Sequence, residues 1–146
     1  MNKISFRYAD RRLNIGQKTL IRTFIETLFK KEKQALGGIN YVFCSDEYLL
    51  EINRSFLQHD YYTDIITFGL SAPGQPVEAE IYISVDRVKD NARTLGVSFN
   101  EEMLRVIFHG ALHLCGYRDK KKADIALMRK KEDQYLGAFY SKHKSR

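Results

Sequence analysis

Residues Met103–Asp119 read M-L-R-V-I-F-H-G-A-L-H-L-C-G-Y-R-D, and this stretch decides the fold. Met103, Leu104, Val106, Ile107, Phe108, Ala111 and Leu112 leave a helix almost no polar side. Such a helix must be central, covered by a sheet and by neighbouring helices. Ser98 with Glu101 makes a capping box ahead of it, and Gly116 supplies the stop. Gly110 inside it costs up to ~1 kcal/mol relative to alanine, which close approach of another backbone, a ligand or plain packing would justify.

Working outward, I-S-F-R-Y at 4–8 alternates like a strand. Asn14 with Gln17 reads as the cap of a helix carrying Leu20, Ile21, Phe24, Ile25 and Leu28, which Gly37-Gly38 should end. Ile39–Cys44 reads as a buried strand, and Ser45 or Asp46 as the cap of a helix with Leu49, Leu50 and Phe56. Thr63–Phe68 and Glu80–Val85 are the next strands, separated by a loop with both prolines, Pro73 and Pro76. A short helix over Asp86–Leu95 stops at Gly96, and a last one spans about Ala123 to Leu136. No repeat or linker interrupts residues 1–146. The order predicts one compact α/β or α+β domain, with a small mixed β-sheet flanked by helices and the motif helix at its centre.

The central helix also carries chemistry. His109 and His113 stand at i and i+4 and project from one face. Gly116 lets the chain turn back, so Asp119 can reach the same ion. Two imidazoles and a carboxylate leave a position for water, the layout of a catalytic rather than a structural metal site. The plainer reading is a pair of core histidines with satisfied hydrogen bonds. The zinc-protease pattern has its general-base Glu directly after the first His; here Gly110 stands there, which counts against peptide hydrolysis. Iron oxygenases use a similar ligand set, but no β-barrel is indicated.

The net charge is +6, and basic residues crowd the motif: R-D-K-K-K at 118–122, R-K-K at 129–131 and the tail S-K-H-K-S-R. Beside a catalytic candidate this favours an anionic substrate, nucleic acid first; a solvated surface is the alternative. Cys44 and Cys115 form no C-x-x-C pair, and both are expected to be reduced; Cys115 is read as packing rather than as a ligand. No apolar run approaches a membrane span, and M-N-K-I-S-F-R-Y-A-D lacks a signal peptide's apolar centre. A cytoplasmic protein without membrane partners is expected.

These residues resemble the YbeY family of metal-dependent endoribonucleases, the ribosomal RNA maturation factors. The family signature H-G-x-L-H-L-x-G-Y-D-H is matched by H-G-A-L-H-L-C-G-Y-R-D. T-D-I-I-T-F at 63–68 looks like the family's T-D-V-L-S-F, and E-I-Y-I-S at 80–84 like its G-D-I-x-I-S, with Ala79 and Glu80 at the Gly-Asp pair. Met128 and Glu132 fall where the family's last helix carries a Met and a Glu. The resemblance implies single-strand-type endonucleolytic cleavage of RNA in processing the 3′ end of small-subunit (16S) ribosomal RNA and in ribosome quality control. It implies one Zn²⁺ per chain on His109, His113 and Asp119, the last replacing the family's third His. A carboxylate is a legitimate zinc ligand, and its hard oxygen also suits other divalent metals such as manganese or iron.

The family's substrate-facing Arg falls here on Leu57, with Arg54 one helical turn earlier as a candidate RNA contact beside a plain surface role. Lys120, Lys121 and Lys122 are candidate phosphate contacts. Proton removal is left to the metal, a phosphate oxygen or a carboxylate. Asp64 and Glu80 qualify by motif position alone, with capping or ion pairing as the plainer roles; attack by the RNA's own 2′-hydroxyl also fits. Implied partners are ribosomal RNA and the small ribosomal subunit, with a ribosomal protein or ribosome-associated GTPase as further candidates. Rival readings are a metallohydrolase for another substrate, and a ribosome-associated assembly factor whose metal is structural and whose cleavage is minor.

Overall fold

Alternation along the strands sorts side chains onto two faces of one sheet. A computed structural model describes residues 3–142; Met1, Asn2 and the last four residues of the basic tail lie outside them. Four strands, β1 (Ile4–Tyr8), β2 (Leu36–Cys44), β3 (Ile65–Gly69) and β4 (Val77–Ser84), are ordered β1-β2-β4-β3. β1 and β4 both run parallel to β2, and β3 is antiparallel to β4. The sheet is therefore mixed, as expected. Ile39, Tyr41, Phe43, Ile81 and Ile83 belong to the main core. Cys44, Ile66, Phe68 and Tyr82 face a smaller cluster with Leu49 and Ile52.

The five helices cover those faces. α2 (Asp46–Leu57) provides Leu49 and Ile52 to the smaller cluster. α1 (Lys18–Lys31), α3 (Val85–Leu95), α4 (Phe99–Leu114) and α5 (Lys122–Lys142) add to the main core. α4 is the central helix: Ile107, Phe108, Ala111 and Leu112 have no exposed surface. Gly110 lies against the sheet, where an added Cβ would stand 2.9 Å from Ile81 Cδ1 and 3.0 Å from Ile65 Cδ1. Close helix–sheet packing thus explains its presence. The Tyr41 hydroxyl, fully buried, donates to the Ile107 carbonyl at 2.9 Å and pins α4 to β2.

Several expected boundaries moved. Asn14 does not cap α1; Gln17, in a left-handed conformation, precedes its first turn without a side-chain bond. α1 stops at Lys31, and Gly37-Gly38 instead open β2 at a register shift. Their place is taken up by Glu78, whose carboxylate fills the space a side chain at 37 would need. β4 starts at Val77 and α5 continues to Lys142, because Tyr135, Leu136 and Phe139 are buried in the core. Ser45, Ser84 and Ser98 each accept a backbone N–H at a helix start. Among the described residues no helix is long and apolar enough to cross a membrane.

Candidate active site

The stripe Glu102, Arg105, Val106 and His109 on α4 forms one wall of a cleft of about 390 Å³. Thr63, Asp64 and Ile65, entering β3, form the second wall. Ile125, Met128, Arg129 and Glu132 of α5 form the third, and Asp119 closes the rim. The turn that delivers Asp119 depends on Gly116, whose φ of 107° is a conformation other residues rarely adopt. Tyr117 then anchors the return, donating its hydroxyl to Glu32 at 2.7 Å with the Lys131 ammonium over its ring. Tyr135 donates to the same carboxylate.

His109 is held on both sides. Its Nδ1 lies 2.6 Å from Glu132 Oε2, and its Nε2 3.1 Å from Asp119 Oδ2. Glu132 is buried and also takes Arg105 at 3.0 Å and Arg129 at 3.6 Å. Burial pushes its carboxyl up, but the hydrogen bonds from His109 and Arg105 outweigh this and hold it below the usual range. Burial likewise pushes the His109 imidazole down, and bonding to Glu132 with the charges of Glu132 and Asp119 reverses that, leaving it raised. Burial raises Asp64 and Glu102. The four carboxylates of the cleft face two guanidiniums and one imidazole.

Within that set, His109 and Asp119 have the spacing of two ligands on one divalent cation. Two ligands ~2.0 Å from one tetrahedral ion lie roughly 3.3 Å apart, close to the 3.1 Å between His109 Nε2 and Asp119 Oδ2. A metal-binding His usually donates its other ring N–H to a carboxylate, which sets tautomer and orientation; Glu132 occupies that place. His113 is exposed and lines an adjoining hollow with Asp119, Lys120, Lys121 and Asp124. The three residues expected as ligands are therefore only partly assembled. Among the described residues no group of three His, Cys, Asp or Glu side chains is gathered as for an ion.

The remaining candidates separate cleanly. Lys122 begins α5 beside that hollow. Arg54 pairs with Asp60 at 2.5 Å on α2 and is not among the cleft-lining residues. Asp64 lines the cleft, whereas Glu80 accepts from the Tyr82 hydroxyl at 3.2 Å and does not. Cys115 packs on the core, and burial pushes its thiol up to about 12, as it does for Cys44. A protease-type Glu at position 110 would point into the sheet, so that mechanism fails on geometry as well as on residue type. Sequence reading gave no role to Glu102 or Arg105, and took Arg129 only as part of a basic run. Glu102 and Arg105 sit seven and four residues before His109, a helical spacing that could have found them.

The profile of the endoribonuclease YbeY family matches residues 3–140. The endoribonuclease YbeY of Cytophaga hutchinsonii is 50% identical over 133 residues, 91% of this chain and 93% of that protein. That of Flavobacterium psychrophilum is 45% identical over 139 residues, 95% of this chain and 98% of that protein. The solution structure of a Thermotoga maritima protein superposes with a TM-score of 0.62 at 27% identity, covering 95% of this chain and 90% of the other.

Proposed function

The chain belongs to the YbeY endoribonuclease family, and we propose that its cleft cuts RNA with a divalent metal held by His109, His113 and Asp119. The observation that carries this reading is His109, fixed at Nδ1 by Glu132 and directed at Nε2 toward Asp119. His113, one turn along α4 and lining a hollow with Asp119, is the third donor in this reading. Zn²⁺ is the expected ion, one per chain. When bound, it supplies Lewis acidity toward the scissile phosphate and acidifies water.

The protein's own groups do the rest. Arg105 keeps Glu132 anionic, and Glu132 keeps the His109 ring oriented. Arg129 at the cleft, Lys120 and Lys121 at the adjoining hollow and Lys122 next in sequence offer phosphate contacts that set affinity more than sequence. Asp64, half-buried and raised by desolvation, is a cleft carboxyl suited to handing a proton to the leaving oxygen. The substrate in this reading is small-subunit ribosomal RNA near its 3′ end, met in the cytoplasm on the small subunit, with a ribosomal protein or GTPase as recruiting partner.

The test is incubation of labelled ribosomal RNA with metal-loaded wild type and with His113→Ala. Cleavage should fall by roughly 100-fold or more in the variant, the scale of losing a metal-site contribution. Equal cleavage by both would refute the reading.

A further inference from the structure

The segment joining α2 to β3, H-D-Y-Y at 59–62, leads straight into the cleft-lining Thr63 and Asp64 and bears aromatic rings on the surface. Tyr61 is 56% and Tyr62 50% exposed. The segment is fixed from beneath. The side-chain amide of Asn53, 1% exposed, donates to the Tyr61 carbonyl at 2.8 Å, and the His59 N–H donates to the Asn53 carbonyl at 3.1 Å. Arg54 pairs with Asp60 between them. A buried polar side chain is thus committed to holding an exposed turn in one shape.

Each tyrosine ring is backed on one face. Tyr61 stacks on His59 with centroids 5.1 Å apart and planes 20° from parallel, and its hydroxyl is hydrogen-bonded to His59 Nδ1 at 3.0 Å. The Arg87 guanidinium stands 5.2 Å from the centroid of Tyr62 and is itself held by Asp46 at 2.8 Å. With one face covered and half the residue exposed, each ring offers its other face to solvent. Phe56, 71% exposed, differs in meeting Phe68 edge-on rather than being backed on one face.

Flat rings backed by an imidazole and a guanidinium match planar π ligands rather than an aliphatic protein surface. Unpaired RNA bases are such ligands and stack on Tyr and His without sequence preference. Continuity with the cleft places them next to the cleavage centre. We infer that His59, Tyr61 and Tyr62 form a base-stacking platform that receives single-stranded nucleotides adjoining the scissile phosphate. This rests on the ribonuclease reading and adds to it the side chains on which the bases flanking the cut would stack.

The test is fluorescence anisotropy of a labelled short oligoadenylate, intact or carrying abasic sites. It is run with wild type, the Tyr61→Ala/Tyr62→Ala double variant and the Tyr61→Phe/Tyr62→Phe double variant. The Ala pair should bind the intact strand at least about 10-fold more weakly. The Phe pair should stay within about threefold, and the salt slope should not change, since no charge is removed. Wild type should lose a similar factor on the abasic strand, which decides the matter even if the Ala pair folds poorly. Unchanged binding by the folded Ala pair, or indifference of wild type to abasic sites, would overturn the platform alone. Failure of wild type to bind or cut RNA would overturn the ribonuclease reading with it.

Discussion

Glu132→Ala is the most informative single change. The side chain is 7% exposed and meets His109 at 2.6 Å, Arg105 at 3.0 Å and Arg129 at 3.6 Å. Removing one partner of a buried pair costs ~3–5 kcal/mol. Here Arg105 keeps Asp133 at 2.7 Å and His109 is 22% exposed, so water and Asp133 recover part of the loss. A net destabilisation of roughly 2–3 kcal/mol follows, which in a chain this long lowers Tm by roughly 5–10 °C. Zinc affinity should fall about 10- to 100-fold, the usual effect of removing the carboxylate behind a metal-binding His. Glu132→Gln, which keeps the volume and an acceptor for His109, should recover most of the stability and less of the affinity. Metal-stripped protein melted by circular dichroism, followed by zinc titration against a competing chelator, measures both. An unchanged Tm and an unchanged affinity in Glu132→Ala would refute the orienting role.

The same pair sets a pH window. Glu132 lies below its ordinary value of 4.5, so its contribution is present above that value and is lost as pH falls through the lowered one. His109 lies above 6.5, so its contribution is complete below that value and is lost as pH rises through the raised one. The stability gap between wild type and Glu132→Ala, read by urea denaturation, should be wider at about pH 5.5 than at about pH 9; an equal gap would contradict this. Gly110→Ala gains ~1 kcal/mol of helix propensity but overpacks Ile81 and Ile65 for ~1–3 kcal/mol, so a net loss near 1 kcal/mol is expected. A more stable variant would show that α4 has room to spare. Reversing the charge of Lys120, Lys121 and Lys122 should weaken RNA binding and flatten its salt dependence; an intact slope would make them ordinary surface residues.

Much of this was legible because single local signals coincided with the tertiary demand on them. The apolar girth of Met103–Leu112 requires a central helix, and Ser45, Ser98, Gly96 and Gly116 mark ends that the structure keeps. Gly37-Gly38 misled because a glycine pair reads as a stop, whereas a long-range partner, Glu78, needs the space beside the strand. Asn14 has cap chemistry, yet the chain starts its helix only at Lys18. In the site, spacing within one helix and one turn was enough to bring Asp119 to His109, as the structure has them, while His113 faces an adjoining hollow. The Arg105–Glu132–His109 relay was illegible because it joins α4 to α5 across 23 residues or more, and only packing brings those faces together.

The central claim is that one metal ion on His109, His113 and Asp119 enables RNA cleavage. Zinc titration of metal-stripped protein, with cleavage of labelled single-stranded RNA followed at each addition, tests it directly. Wild-type activity should rise in proportion to added zinc and level off near one equivalent, while Asp119→Ala stays inactive at that point. Full activity in the stripped protein, or the same titration curve for Asp119→Ala, would contradict it.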